Sequence, residues 1–173
     1  METFFNPLSV AIVGATEKPG SLPGIILKNL LSMGFKGKMY PVNPKYETVF
    51  GLNCFPSILD IPDEVALTVI AIPAPWVLDV LQQQAHKRIR HAIIISAGFR
   101  EKGAEGIEME ERIRRVAIEN DMRILGPNCL GVLDNYTNFT TSFLSWERVS
   151  IPKKGSLSIL SQSGAFAIAL LDL

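Results

Sequence analysis

The sequence predicts an α/β protein built on a doubly wound parallel sheet. Five short, mostly apolar segments recur along the chain, and the segments between them repeat apolar residues at helical spacing. Glycine, proline, asparagine or serine follows each apolar segment. Because strands that alternate with helices form right-handed βαβ units, we expect a parallel sheet with its ligand crevice at the carboxyl ends of the strands.

The five predicted strands are short and mostly apolar. The first, residues 9–13, ends at Gly14. The third, residues 66–72, is almost continuously apolar, as a strand covered on both faces should be. The second, fourth and fifth strands are predicted at residues 39–42, 92–95 and 122–125.

Helices are predicted between these strands. Apolar residues repeat at helical spacing over residues 25–33, and Pro75 fits the first turn of a helix that ends near residue 85. Residues 105–120 form a charged amphipathic helix, whose opposite charges three to four residues apart are typical of a solvated face.

The character of the sequence changes near residue 135. Residues 135–154 are polar and aromatic without periodicity, and we interpret them as a linker after a first domain at residues 1–134. A strand at residues 155–160 and an apolar helix from Ala165 follow. Because one strand and part of a helix bury too little apolar surface to fold alone, residues 155–173 are interpreted as the start of a truncated second domain.

The composition excludes several classes of partner. Seventeen basic residues balance seventeen acidic ones, which gives no electrostatic reason to expect nucleic acid or an anionic membrane as a partner. The apolar runs are too short to span a bilayer, and the first nine residues lack the pattern of a secretory signal. Cys54 and Cys129 are far apart and have no metal-ligand spacing, so we expect free thiols in a cytoplasmic protein.

A glycine-rich loop follows the first strand and leads into the first helix, at residues 14–24. Glycine lets the backbone approach a pyrophosphate closely, and the helix N-terminus offers free N–H groups to it. Pro23 removes one of these donors. A tight connection between a strand and a helix is the alternative interpretation of the same loop.

The end of the second strand bears on the choice of nucleotide. NAD-binding domains need an Asp or Glu there, whereas this chain has Asn43 and Lys45, and its glycine spacing is not GxGxxG. A lysine suits an adenosine whose ribose carries an extra phosphate, as in both coenzyme A and NADP. The alternative for Lys45 is a solvated charge on a loop.

Six short motifs lie in order at or near the predicted strand ends: Gly14-Ala15-Thr16, Pro41-Val42-Asn43-Pro44-Lys45, Ile72-Pro73-Ala74-Pro75, Ile95-Ser96-Ala97-Gly98-Phe99, Gly126-Pro127-Asn128-Cys129 and Ser161-Gln162-Ser163-Gly164. Together they resemble the NDP-forming acyl-CoA synthetases, which include the ADP-forming acetyl-CoA synthetases and, more distantly, the α subunit of succinyl-CoA synthetase. The resemblance covers nearly the whole chain. It implies a Rossmann-like CoA-binding domain with coenzyme A as its cofactor.

The resemblance also implies where each part of CoA would lie. The CoA phosphates would be cradled by Gly14, Ala15, Thr16, Pro19, Gly20 and Ser21. The adenosine end would face Val42, Asn43 and Lys45, with Lys45 near the 3′-phosphate, and would be bordered by Pro73, Ala74 and Pro75. The pantetheine arm would follow Ser96, Ala97, Gly98 and Asn128. A phosphorylated histidine would be contacted by a helix N-terminus at Ser163 and Gly164.

In this family, phosphate moves through a histidine in a second domain, and an ATP-grasp domain binds ADP. Here His86 and His91 flank a charged connection and are interpreted as surface histidines, so no catalytic residue is predicted. We therefore expect CoA binding within the reaction acyl-CoA + ADP + phosphate ⇌ acid + CoA + ATP, with an ATP-grasp domain or subunit as partner and no catalysis by this chain alone. A regulatory CoA-binding module and an NAD(P)-binding domain are the alternatives.

Three further features of the sequence are not predicted to form a functional site. Asp60, Asp63 and Glu64 are expected to form a polar loop, and no metal site is predicted. Trp76 lies beside the expected nucleotide edge, where core packing or a surface ring is the default. The apolar helix from Ala165 leaves association into a homo-oligomer open.

Overall fold

The computed structural model describes residues 1–146 and 151–171. Nine strands are present in these residues: β1 (Ser9–Val13), β2 (Lys38–Val42), β3 (Thr48–Val49), β4 (Leu52–Asn53), β5 (Leu67–Ile70), β6 (His91–Ile94), β7 (Arg123–Leu125), β8 (Leu133–Asp134) and β9 (Phe139–Thr140). Four α-helices accompany them: α1 (Leu22–Met33), α2 (Val77–His86), α3 (Ala104–Glu119) and α4 (Gly164–Leu171).

Five strands form one parallel sheet in the order β2-β1-β5-β6-β7, and every neighbouring pair is parallel. Side chains alternate between the two faces of β1, as the pleat of a strand requires. Val10 and Ile12 pack with the apolar side of α1, whereas Ala11 and Val13 pack with α2 and α3 on the opposite face. This arrangement confirms the predicted doubly wound parallel sheet.

The bounds of the main elements differ from the predicted ones by a few residues. The third strand of the sequence is β5, which is shorter than the predicted segment because the chain begins to turn after Ile70. Pro75 lies in a 3-10 turn, Ala74–Trp76, and the α-helix begins after it, at Val77. The turn places Ala74 and Pro75 at the edge of the sheet rather than inside the helix.

The first part of the predicted linker packs against α1. Strands β8 and β9 pair as an antiparallel hairpin, and the ring of Phe139 is fully buried with its centroid 5.1 Å from that of Phe35. Asn29 of α1 donates from Nδ2 to the carbonyl oxygens of Ser142 and Leu144, at 3.1 and 2.7 Å. Residues 147–150 of the predicted linker lie outside the described residues.

The strand predicted at residues 155–160 is not formed. A strand needs a neighbour for its backbone hydrogen bonds, and none of the described residues pairs with this segment, in which Leu157 and Leu160 are almost fully exposed. The helix predicted from Ala165 is present as α4. The proposed second domain stays a prediction.

No helix within the described residues has the length and apolar character needed to cross a membrane.

Replacing Phe139 by alanine tests the packing of the hairpin. Because the ring is fully buried, we expect Phe139→Ala to lower the free energy of unfolding by about 3–5 kcal/mol. Phe166 in α4 is mostly exposed, so Phe166→Ala is a matched control and should change this free energy by less than about 0.5 kcal/mol. Urea unfolding followed by circular dichroism measures both, and equal effects of the two substitutions would contradict the packing.

Candidate functional site

The strand order reverses between β1 and β5, which leaves a crevice at their carboxyl ends. The chain leaves β1 towards α1 on one face and leaves β5 towards α2 on the other. Gly14 lies at this point with a φ of +94°, and a Cβ there would lie 2.7 Å from the carbonyl oxygen of Ala71. Only glycine fits both the positive φ and this close approach.

The loop after β1 is tied to the end of β2. The backbone N–H of Gly14 donates to the oxygen of Val42 at 2.8 Å, and Asn43 donates from Nδ2 to the oxygen of Ala15 at 2.9 Å. The hydroxyl groups of Thr16 and Tyr46 lie 3.1 Å apart. The first two predicted motifs therefore form one connected unit at the carboxyl edge of the sheet.

Within this loop, Ala15 is fully buried and Thr16 is almost fully buried, so these two residues form the base of the loop. Pro19 and Gly20 are exposed at the outer part of the loop. The backbone N–H of Lys18 donates to the Thr16 hydroxyl at 3.2 Å, so the chain turns at this point of the loop.

The loop lies directly on the first turn of α1. A Cβ at Gly24 would lie 2.4 Å from the oxygen of Thr16, so this close packing requires glycine. Ser21 is the N-cap residue of α1, and its buried hydroxyl has no hydrogen-bond partner among the described residues. The first-turn N–H groups of Leu22 and Gly24 have no acceptor within the helix. A free hydroxyl beside free N–H groups at a helix N-terminus suits an anion such as a phosphate.

At the end of β2, most of the predicted contact groups serve the protein itself. Val42 is buried in the core. The Asn43 amide donates to Ala15 and accepts from the backbone N–H of Lys45 at 3.0 Å. The Lys45 side chain is exposed beside this amide, so it is available to a charged ligand.

An open cleft of about 480 Å³ runs between the ends of β5 and β6 and the start of α3. It brings together five residues predicted from the sequence, namely Pro73, Ala74, Pro75, Ala97 and Gly98. Four others were missed: Lys102, Glu105, Gly106 and Met109. The sequence did contain one indication that this helix packs closely on another segment, namely a glycine, Gly106, inside the predicted amphipathic helix. A Cβ at Gly106 would lie 1.8 Å from the oxygen of Phe99, so α3 packs directly on the loop after β6.

Ser96 holds three strand ends together. Its buried hydroxyl accepts from the backbone N–H of Ile72 at 3.1 Å and lies 3.4 Å from the oxygen of Ile70, to which it can donate. Its carbonyl oxygen accepts from the N–H of Asn128 at 2.9 Å. Asn128 has a positive φ of 53° and is exposed, so its amide side chain is accessible at the same edge.

The last motif begins α4. The hydroxyl of Ser163 accepts from the backbone N–H of Phe166 at 3.2 Å and so caps the helix. A Cβ on Gly164 would lie 3.7 Å from Cβ of Leu130, an ordinary contact. The start of α4 therefore lies close to the segment that follows Asn128.

The remaining candidates lie away from this edge or serve the structure. His86 is exposed in the last turn of α2, and His91 begins β6 at the amino edge, where burial lowers the pKa of its imidazole. Asp63 accepts from the Tyr40 hydroxyl and from Lys38, and these two partners lower the pKa of its carboxyl group. Trp76 is exposed in the turn after β5.

Both cysteines are free thiols, and burial raises the pKa of each. Cys129 follows Asn128, and its Sγ lies 3.4 Å from the oxygen of Ile94. Within residues 1–146 and 151–171, no group of three or more His, Cys, Asp or Glu side chains could hold a metal ion.

The glycine loop at the point of strand reversal, the free helix N-terminus and the adjoining cleft define a Rossmann-like nucleotide-binding domain. Residues 8–135 match the protein family described as CoA binding domain. The chain belongs to this family.

Curated relatives and solved structures extend the similarity to the whole chain. It is 43% identical over 174 residues to acetate–CoA ligase (ADP-forming) II of Archaeoglobus fulgidus, covering 100% of this chain and 25% of that protein. It is 40% identical to the α subunit of acetate–CoA ligase (ADP-forming) I of Pyrococcus furiosus, covering 99% of this chain and 37% of the subunit.

Among solved structures, it matches the dinucleotide-forming acetyl-coenzyme A synthetase 1 of Ca. Korarchaeum cryptofilum, in complex with phosphate and ADP. The TM-score is 0.84 at 40% identity, and the match covers 98% of this chain and 35% of that one. This chain thus spans about a quarter to just over a third of the length of these relatives.

Replacing Gly24 by alanine tests the contact between the loop and α1. Alanine has the higher helix propensity, by about 1 kcal/mol. However, a Cβ 2.4 Å from the Thr16 oxygen forces the loop to move, at a cost of about 1–3 kcal/mol. We therefore expect Gly24→Ala to lower the melting temperature.

Gly155→Ala is the control, since a Cβ there would meet nothing nearer than 4.0 Å. Thermal unfolding of the ligand-free protein measures both variants. A higher melting temperature for Gly24→Ala would show that the loop does not depend on this contact.

Proposed function

We propose that this chain binds coenzyme A along the carboxyl edge of its sheet, as the CoA-binding part of an NDP-forming acyl-CoA synthetase. The parent reaction would be acyl-CoA + ADP + phosphate ⇌ acid + CoA + ATP. The observation that carries the proposal is the N-terminus of α1, where the Ser21 hydroxyl has no partner among the described residues, in a member of the CoA binding domain family.

The diphosphate of CoA would lie on the loop from Gly14 to Ser21. Gly14, Ala15 and Thr16 would form the base of this loop, because Ala15 and Thr16 are buried. Pro19 and Gly20 would form the outer rim, and Ser21 would donate its hydroxyl. The dipole of α1 adds favourable electrostatic potential for the negative charge.

The adenosine end would lie at the end of β2, bordered by Pro73, Ala74 and Pro75. In this position Lys45 would contact the 3′-phosphate. Val42 and Asn43 would support the site through their contacts within the protein. The absence of an acidic side chain at positions 42–45 supports a phosphorylated ribose over the free hydroxyls of NAD.

The pantetheine arm would then run past Ala97 and Gly98 towards Asn128, whose exposed amide can exchange hydrogen bonds with the amides of the arm. Ser96 would act as a scaffold beneath it, because its hydroxyl and carbonyl groups are engaged inside the protein. Ser96 would therefore lie along the arm without donating to it from its side chain.

The chain would contribute binding and leave phosphate transfer to other parts of the enzyme. Ser163 and Gly164, at the start of α4, would contact the phosphate of a phosphohistidine supplied by a further domain. An ATP-grasp domain or subunit would bind the ADP, and the similarity to an α subunit supports such a partner. Neither His86 nor His91 is placed to carry the phosphate.

Titration calorimetry with CoA, dephospho-CoA and NADP tests the assignment of the adenosine end. We expect CoA to bind more tightly than dephospho-CoA, because only CoA has the 3′-phosphate. Lys45→Ala should weaken CoA binding by about five- to tenfold, the effect of one partly solvated charge-assisted hydrogen bond, and should leave dephospho-CoA binding unchanged.

Lys36→Ala is the matched control, since Lys36 is an exposed lysine before β2, at the opposite edge of the sheet. Equal affinity for CoA and dephospho-CoA would remove Lys45 from the site. Tighter binding of NADP than of CoA would overturn the proposed ligand.

Ser21→Ala tests the diphosphate site. Among the described residues the Ser21 hydroxyl has no partner, so its loss should leave the free energy of unfolding equal or slightly higher. The same change should weaken CoA binding by about fivefold, since the diphosphate loses a donor. Ser32→Ala, at an exposed position of α1, should change neither the free energy of unfolding nor the affinity for CoA. Unchanged CoA affinity in Ser21→Ala would place the diphosphate elsewhere.

A further inference from the structure

The carboxylate of Glu101 is bound to the loop that would follow the pantetheine arm. The backbone N–H of Gly98 donates to Oε1 of Glu101 at 2.5 Å. This hydrogen bond is the main reason why the pKa of Glu101 is lowered, so the side chain is a carboxylate at neutral pH. None of the roles proposed above uses Glu101.

The hydrogen bond fixes the direction of one peptide group on the wall of the cleft. In a trans peptide the N–H and the C=O point in opposite directions. Because the N–H of Gly98 points to Glu101, the carbonyl oxygen of Ala97 must point away from Glu101. Ala97 and Gly98 both line the open cleft, so the orientation of this peptide decides whether a donor or an acceptor faces a ligand.

The two ends of the loop are held by other contacts, whereas the Glu101 carboxylate interacts chiefly with the Gly98 N–H and more weakly with the backbone of Phe99 and Glu101. Ser96 is bound to the end of β5, and the Phe99 side chain is buried in the core. The N–H of Lys102 donates to the Phe99 oxygen at 2.7 Å. Between these anchors, Gly98 has a φ of +109°, a region where glycine is conformationally free.

We propose that Glu101 is a positioning residue for CoA: it holds the Ala97–Gly98 peptide so that the Ala97 carbonyl accepts an amide N–H of the pantetheine arm. The inference rests on the proposed function, since it requires the arm to lie on this loop. It assigns Glu101 no contact with CoA itself. It also limits the effect of Glu101 to the pantetheine half of the ligand.

A comparison of two ligands distinguishes the contribution of the pantetheine half of CoA from that of the nucleotide half. The first is CoA, and the second is 3′-phosphoadenosine 5′-diphosphate, which has the phosphates and the adenosine but no pantetheine. Calorimetry measures the dissociation constant of each for the unmodified chain, Glu101→Ala, Glu101→Gln and Glu108→Ala. Glu108 is an exposed glutamate on α3 and provides the matched control.

We expect Glu101→Ala to weaken CoA binding by about tenfold. The same change should weaken binding of 3′-phosphoadenosine 5′-diphosphate by less than about twofold. Glu101→Gln keeps a side-chain carbonyl that can accept from Gly98, so its CoA affinity should stay within about threefold of the unmodified chain. Glu108→Ala should change neither affinity. Retained binding of the fragment also shows that each variant is folded.

Three results would overturn the inference while leaving the proposed function intact. Equal weakening of both ligands by Glu101→Ala would mean that Glu101 only stabilises the fold. Unchanged CoA binding would mean that the peptide keeps its orientation without Glu101. Tighter CoA binding would mean that the carboxylate competes with the ligand for the Gly98 N–H. Failure of the unmodified chain to bind CoA would instead overturn both proposals.

Discussion

The site depends on the close approach of two backbone segments where the strand order reverses. Gly14 lies against the carbonyl of Ala71, with no room between them for a side chain. From this contact the chain turns to one face through the glycine loop, while the end of β5 turns to the other face through Ala74 and Pro75. The crevice thus follows from sheet topology, and the glycine permits the backbone geometry that topology demands.

Internal hydrogen bonds divide the residues of the six motifs into those that join loops within the protein and those whose polar groups are free. Asn43 and Ser96 use their polar groups to join neighbouring strand ends. Glu101 accepts a hydrogen bond from the Gly98 N–H. The groups without such a role are the buried Ser21 hydroxyl, which has no partner among the described residues, and the exposed side chain of Lys45. A buried polar group already paired inside the protein gains little by turning to a ligand, so the scaffold residues act by fixing the loops.

The sequence predicted the sheet and most of the cleft because both depend on local patterns: apolar runs for the strands and small residues at their ends. It missed the burial of Phe139, because two-residue strands are too short to show a period. It overpredicted a strand at residues 155–160, because an apolar run does not reveal whether a neighbour is present. Lys102 and Glu105 join the cleft because Gly106 packs on Phe99; a glycine within a predicted helix indicates close packing, but it does not show which loop the helix contacts.

The order of the strands gives the proposed site a direction. Lys45 lies beyond β2 at one end of the sheet and Asn128 beyond β7 at the other, so four strand spacings of about 4.8 Å, or about 19 Å in all, separate them. A ligand with a charged nucleotide head and a long arm suits such a distance better than a compact one. With the head at Lys45, the arm would lead to the segment beside Gly164, where α4 begins. The thiol at the end of the arm would then lie next to the helix terminus proposed to contact phosphate.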